Sequence, residues 1–401
     1  MKRLLIIFTT LLLLSGCATA RHAVPPELFG QVRICGMQDI RFAGDHPSAV
    51  IQEDIIRSIA QEQERDFPLD QEGFKVYPQL AISGGAANGA YGAGLLKGWS
   101  AAGTRPVFKI VTGISTGAII APLAFLGSRY DDRLEEIYTT YSTKDIARAR
   151  RFLSILFHDS FASTRPLQFL IRKYFDKELL EAIAGEYRKG RRLYVGTTDL
   201  DRQQFVLWDM GRIASYGGAE ALELFRKIIL ASASIPAAFS PVFFEAEADG
   251  KTYNEMHVDG GTTRQVSFLF DVLIGTQKTA EQKGLKPLKF KHRIYVIRNG
   301  YIDSLWKQVP DRLGSIAERS MDTMINAQGL GDIYQLYTFT TMSQGDFNLA
   351  VIPSTHISQA KEIFDPAEMR KLFDLGFTQA ANGYPWRKAP PGVEEIERMR
   401  Q

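Results

Sequence analysis

An α/β fold is predicted for this chain of 401 residues by three stretches, each reading as a strand that delivers small or polar residues to its C-terminal end. Leu80-Ala81-Ile82 opens into the small-residue loop Ser83 to Ala90, followed by a helix over Tyr91 to Trp99. Lys109-Ile110-Val111 ends in Gly113-Ile114-Ser115-Thr116-Gly117 and continues into the helix Ala118 to Leu126. Thr252 to Val258 carries Asp259-Gly260-Gly261. Open α/β sheets display their catalytic groups beyond such strand ends.

The length suits two or three average domains, or one α/β domain with insertions. With 45% hydrophobic and 23% charged residues, the composition is that of an ordinary globular protein. The formal charge is +3, and Lys2 and Arg3 supply two of those charges, so charge indicates no nucleic-acid partner. There is no His-x-x-x-His and no cysteine cluster, and the aspartate-rich turns lack calcium-loop spacing, so no metal site is expected.

Lys2 and Arg3, the apolar run Leu4 to Leu14 and then Ser15-Gly16-Cys17 read as a secretory leader. The run is too short to remain as a membrane-spanning helix. Leu14-Ser15-Gly16-Cys17 resembles the bacterial lipobox, which implies removal of residues 1–16 and acylation of Cys17. The alternative is a plain secretory signal with an incidental cysteine. Ala18 stands where an aspartate would favour the inner membrane, which implies an outer-membrane address. Two or more acyl chains anchor stably where one is marginal. With Cys17 lipidated, Cys35 has no intrachain partner and the core alone must hold the fold.

Residues 17–77 read as a tether and an N-terminal packing segment, with Gln31 to Ile40 as a strand and Val50 to Glu64 in helical spacing. The core is expected over 78–275. In it, the loop from Ser83 to Ala90 exposes consecutive backbone N–H groups, which suit a phosphate or a developing oxyanion. No Lys-Ser/Thr pair follows as a P-loop requires, and Ala86 interrupts a dinucleotide fingerprint.

At Gly113 to Gly117 the glycines permit a bend too tight for a Cβ, so that Ser115 stands at its apex before a helix N-terminus. The competing reading is a glycine-rich turn capped by Ser115 or Thr116. Arg133 to Ser142 reads as a surface helix. Arg148, Arg150 and Arg151 abut the apolar run Phe152 to Phe161, which suits a core helix with a solvated end or a membrane-facing lid. Arg192 to Thr197 and Gln204 to Trp208 alternate as two strands around a turn holding Asp199 and Asp201.

Ala219 to Ser232 is helical and runs into Ala233-Ser234-Ile235-Pro236, where proline ends the helix. Asp259-Gly260 is a turn signal by itself and a candidate general base when placed at a strand end. Residues 276–401 are expected to pack on the same domain. They comprise a lysine-rich loop from Gln277, a strand over Arg293 to Ile297, helix within Asp311 to Thr340, a strand over Asn348 to Ile352 and a helix over Pro366 to Asn382.

A serine nucleophile needs a base, usually a histidine oriented by an acid. In the order Ser, Asp, His of an α/β-hydrolase, only His292 and His356 follow Asp259. The other solution is a carboxylate acting directly on the serine.

Taken together, Ser83-Gly84-Gly85-Ala86-Ala87-Asn88-Gly89, Gly113-Ile114-Ser115-Thr116-Gly117, Ala233-Ser234-Ile235-Pro236 and Asp259-Gly260-Gly261 resemble the patatin-like phospholipase family over Leu80 to Thr262. The resemblance implies a three-layer α/β/α sandwich around a mostly parallel sheet, with no cofactor. It also implies a Ser-Asp dyad, with Ser115 as nucleophile, Asp259 as base and the N–H groups around Gly84, Gly85 and Ala86 as oxyanion hole. Gly89, Gly113, Gly117, Gly260 and Gly261 support those motifs. The family commonly has Gly at the position of Ala86 and Arg or Lys at that of Asn88. The expected activity is hydrolysis of lipid acyl esters, with a lipid substrate and a membrane reached through the N-terminal anchor. The alternatives are a Ser-His-Asp esterase and a non-catalytic lipid-anchored scaffold.

Overall fold

The computed structural model describes residues 21–393 except 47, 64, 68, 150–159, 270–275, 277–278 and 285–289. The leader, Cys17, and most of the basic and aromatic stretch that begins at Arg148 therefore lie outside the described residues, as do parts of the lysine-rich loop.

Nine strands form one sheet: β1 (Arg41–Ala43), β2 (Lys75–Ile82), β3 (Ile110–Ile114), β4 (Arg192–Asp199), β5 (Gln204–Asp209), β6 (Val242–Ala248), β7 (Lys251–Asp259), β8 (Phe290–Arg298) and β9 (Asp346–Val351). Their order is β1-β5-β4-β3-β2-β8-β9, and the β6–β7 hairpin joins through β7 to β4. The run β4-β3-β2-β8-β9 is parallel throughout, with antiparallel strands along one side. The fold is thus α/β with a mixed, mostly parallel central sheet.

Side chains alternate between two cores because successive Cβ atoms on a strand point to opposite faces. Leu80, Ile82, Val111, Leu193, Val195 and Ile297 enter one core. Ala81, Ile110, Ile114, Tyr194, Ile294 and Val296 enter the other. The first core is closed by α2 (Gly89–Ala101), α3 (Thr116–Leu126), α4 (Asp131–Thr140), α5 (Arg165–Tyr174), α6 (Lys177–Arg188), α7 (Met210–Tyr216), α8 (Gly218–Ser232) and α10 (Pro366–Ala381). The second lies under α1 (Ala49–Ala60), through Ile51 and Ile55, and α9 (Leu313–Met342), through Ile333 and Leu336. Helices therefore cover both faces, and no helix among the described residues is long and apolar enough to cross a membrane.

Three local differences from expectation have physical causes. Gln31 to Ile40 makes only isolated bridges, because Cys35 at φ 50° and Asp39 at φ 56° break an extended course, and the strand begins at Arg41. The helix α4 is not confined to the surface, since it buries Leu134 and Tyr138. Strand β6 has no counterpart in the expectations, although Phe244-Glu245-Ala246-Glu247-Ala248 alternates buried and exposed, the period of a half-buried strand. Of the lysines expected in a loop, Lys283 pairs with Glu53 at 2.8 Å, whereas Lys291 lies on β8 and pairs with Asp70 at 2.9 Å, and both pairs are partly exposed.

Candidate active site

Ser115 follows the last residue of β3 and precedes the first of α3, with φ 55° and ψ −123°. A non-glycine residue held there stores about 1–3 kcal/mol of backbone strain. The bend is possible because a Cβ on Gly113 would overlap the carbonyl oxygen of Gly117, and one on Gly117 would overlap that of Ile82. Its N–H donates to Ser232 Oγ at 2.9 Å, and Ser232 Oγ donates in turn to the Gly196 carbonyl at 2.6 Å. The Ser115 backbone is thereby pinned by the last residue of α8.

Asp259 ends β7, which lies against the extension of β4 with Thr197 opposite Asp259. Its N–H donates to the Ser234 carbonyl at 2.9 Å, so the segment after α8 holds both Ser115 and Asp259. Asp259 Oδ1 accepts the Gly261 N–H at 2.7 Å. Oδ2 is buried and makes no hydrogen bond of ordinary geometry among the described residues. Burial pushes the carboxyl up to about 7, and the Ser115 hydroxyl and the Gly261 N–H draw it back down. No charged side chain among the described residues contributes to that shift. Such a pKa suits a general base working near neutrality, and hydrogen bonds of this kind often tighten only when substrate is bound.

The glycine-rich loop leaves β2 beside these groups. A Cβ on Gly84 would lie 3.1 Å from Ser115 Cβ. Of the three expected oxyanion donors, Gly84 is a correction: its N–H is donated to the Gln265 carbonyl at 3.0 Å. The N–H groups of Gly85 and Ala86 have no acceptor among the described residues. Ala86 sits at φ 48°, the left-handed region, which glycine occupies without the cost a Cβ imposes. Asn299, just past β8, secures the loop. Its N–H donates to Ser83 Oγ at 2.9 Å, its Nδ2 to the Ser83 carbonyl at 3.0 Å, and its Oδ1 accepts from the Gly92 N–H at 3.1 Å.

Ser115 and Ala86 border a cavity of about 80 Å³, whose walls include Ile119, Leu170, Ile171 and Phe239. Apart from Ser115, its hydroxyls are already engaged: Tyr138 OH meets Thr116 Oγ1 at 2.5 Å, and Tyr141 OH meets Tyr174 OH at 2.6 Å. The cavity thus presents carbon to whatever enters it, as an acyl chain requires.

Neither candidate histidine reaches this site. His292 is the third residue of β8, opposite Tyr77, toward the N-terminal edge of the parallel strands. It is buried, shares a hydrogen bond of 2.8 Å with Gln79 Nε2, and is pushed down to about 4 by burial. His356 faces Glu368 at 2.9 Å. One cluster with metal-ligand types, Asp199, Glu255 and His257, occurs among the described residues. There Glu255 is taken by both guanidinium nitrogens of Arg41 and His257 Nδ1 by Thr197 Oγ1 at 2.9 Å.

Sequence reasoning missed Ser232, Ser234, Gln265 and Asn299. The first two flank or lie within a motif that was read for its proline. The others reach the site only through the register of the sheet and the turn after β7.

Residues 80–270 match the family model for patatin-like phospholipases. No curated protein matches the chain. Among solved structures, VipD from Legionella pneumophila aligns at 11% identity over 79% of this chain and 70% of its own, with a TM-score of 0.36. Full-length ExoU of Pseudomonas aeruginosa, in complex with SpcU, aligns at 12% identity over 77% and 52%, with a TM-score of 0.29. Human GIVD cytosolic phospholipase A2 aligns at 11% identity over 71% and 51%, with a TM-score of 0.30. The chain spans about half the length of the last two.

Proposed function

The chain belongs to the patatin-like phospholipase family of serine hydrolases through residues 80–270, and from that premise we propose that it hydrolyses lipid acyl esters with Ser115 and Asp259 as its dyad. Ser115 Oγ attacks the ester carbonyl as its proton passes to Asp259. The tetrahedral oxyanion is held by the N–H groups of Gly85 and Ala86, each contributing about 3 kcal/mol to the barrier reduction. Collapse expels the alcohol, which takes the proton from Asp259. Water, deprotonated by the same carboxylate, then releases the acyl group from Ser115. The observation that carries this reading is a hydroxyl on a strained elbow beside a buried carboxyl with no charged neighbour among the described residues, at the edge of an apolar cavity.

The substrate class follows from the same surroundings. An apolar cavity favours an acyl chain at Ser115, while Asn88 gives the loop no positive charge for a phosphate. Neutral and lysolipid esters therefore stand beside phospholipids as substrates. Fluorophosphonate labelling with peptide mapping tests the reading. Modification of Ser115, lost in Ser115→Ala together with hydrolysis of nitrophenyl and lysophospholipid esters, is expected. An unlabelled Ser115 would indicate a scaffold without turnover.

The protein is further proposed to be a lipoprotein acylated at Cys17 and held at the outer membrane. Supporting this is the lipobox-like Leu14-Ser15-Gly16-Cys17, and the contacts of Arg21 say where the anchor would lie. Arg21 Nη1 donates to Asp201 Oδ2 at 2.6 Å and to the Asn254 carbonyl at 3.0 Å. Asp201 follows the C-terminal end of β4, the same edge of the sheet as Ser115 and Asp259. The four residues from Cys17 to Arg21 reach at most about 14 Å, so an acylated Cys17 would keep that edge close to the lipid. Cys17→Ser is expected to abolish metabolic labelling with palmitate and release the protein from the membrane fraction.

A further inference from the structure

We propose that Gln265 is a positioning residue for this hydrolysis, locking the loop that supplies the oxyanion donors to the turn that carries the base. The proposal rests on the acyl-hydrolase reading above. The Gln265 carbonyl accepts the Gly84 N–H at 3.0 Å, and its Nε2 donates to the Gly261 carbonyl at 2.7 Å. Gly261 in turn donates its N–H to Asp259 Oδ1 at 2.7 Å. One residue is thus a single backbone bond from the oxyanion loop and, through its side chain, two bonds from the base. Gly84 lies between the two centres: a Cβ there would be 3.1 Å from Ser115 Cβ and 3.4 Å from Gln265 Oε1.

Gln265 is itself held from several directions. Its N–H donates to Asp332 Oδ2 on α9 at 2.7 Å, and its Nε2 also reaches Gln328 Oε1 at 3.4 Å. Arg298 Nη1, at the end of β8, donates to its Oε1 at 3.4 Å. Asp332 is faced by Arg264 at 3.5 Å. Asp332, Arg298 and Arg264 are therefore the charged groups around Gln265, and none of them acts on the carboxyl of Asp259.

The oxyanion donors and the base come from different strands, β2 and β7. Catalysis needs their relative position held to about 0.5 Å, and a misplacement of about 1 Å can cost roughly 100-fold in rate. Gln265 does not line the apolar cavity, so cutting its side-chain bond should spare substrate binding and weaken the transition state.

The test uses Gln265→Met and Gln265→Leu, which remove the donor to Gly261 without adding charge, and Gln265→Asn, which keeps an amide on a shorter arm. Ester hydrolysis and the second-order rate of fluorophosphonate labelling at Ser115 are followed from pH 5 to 9, with melting temperatures alongside. Expected in the Met and Leu variants are a fall in kcat and labelling rate of at least about 10-fold, a KM within about twofold, and an acid limb moved to higher pH. The limb moves because a loosened Gly261 no longer holds its N–H on the ionised carboxylate. The Asn variant should fall between. Unchanged kcat and labelling would overturn the proposal, as would a loss of rate with an unmoved acid limb and a lowered melting temperature. A wild-type protein that neither labels nor hydrolyses esters would sink the hydrolase reading and this proposal together. An active wild type with inert Gln265 substitutions sinks this proposal alone.

Discussion

Replacing Asp259 with asparagine should make the protein more stable above neutral pH while removing its activity. The carboxyl is buried, with no charged partner among the described residues, and its pKa is pushed from 3.8 to about 7. Below 3.8 the folded and unfolded chains both carry the proton, so ionisation costs the fold nothing. Between 3.8 and about 7 the unfolded chain releases the proton first, and stability falls as pH rises. Above about 7 both states are ionised and the full penalty applies, about 4 kcal/mol from the size of the shift. Asparagine never ionises. Its Oδ1 can still accept the Gly261 N–H, but its Nδ2 must find an acceptor, and an unsatisfied donor takes back about 1–3 kcal/mol. A net gain of about 2 kcal/mol is therefore expected above pH 8, shrinking toward zero or below near pH 4. Parallel thermal melts at a fixed scan rate from pH 4 to 9 read it as a difference in melting temperature that grows with pH and levels off past 7. A difference that does not change between pH 5 and 8.5 would refute the argument, as would a variant that melts below wild type at pH 8.5.

Four further outcomes follow from the same geometry. In the wild type, log kcat/KM should rise with pH and flatten near pH 7 as Asp259 ionises, whereas His292→Gln and His356→Gln should retain that profile, measured on a nitrophenyl ester. Ala86→Gly should raise stability by about 1 kcal/mol by relieving the positive φ, read by denaturant midpoint. Ser232→Ala leaves the Ser115 N–H and the Gly196 carbonyl without their shared partner, and should cost about 1–3 kcal/mol and slow fluorophosphonate labelling of Ser115. Ile119→Trp should fill the cavity beside Ser115 and shift ester preference toward shorter acyl chains, assayed across nitrophenyl esters of increasing length.

How much of this was legible in the sequence depended on the range of the interaction that decided each feature. The elbow was readable because its determinants are adjacent: strand, two glycines and a helix within Ile110 to Leu126. The same holds for the turn Asp259 to Gly261, where the carboxylate caps the short helix that follows by accepting the Gly261 N–H. Gly84 was misread because a loop of small residues advertises free N–H groups without showing which are already engaged. Its acceptor, Gln265, is distant in sequence and reaches it only after β7 has paired with β4. The strand expected over Gln31 to Ile40 failed for a local reason: Cys35 and Gly36, both at positive φ, turn the chain back so that Ile34 bridges Met37, and Gly36 was the one residue there that signalled it.

The Ala233-Ser234-Ile235-Pro236 segment shows why the motifs had to occur together. Proline was readable as a helix stop, but what the stop achieves is spatial. By ending α8 at Ser232, it leaves the Ser232 hydroxyl free to accept the Ser115 N–H and turns the Ser234 carbonyl toward the Asp259 N–H. A helix carried one turn further would direct the Ser234 carbonyl along its own axis, to a residue four positions on, and Asp259 would lose its backbone acceptor. The placement of Ser115 relative to Asp259 is therefore set in part by a third element that bonds the backbone of both. Lengthening α8 with Pro236→Ala should accordingly depress kcat more than it destabilises the fold. Equal losses of rate and stability in that variant would assign the segment to packing alone.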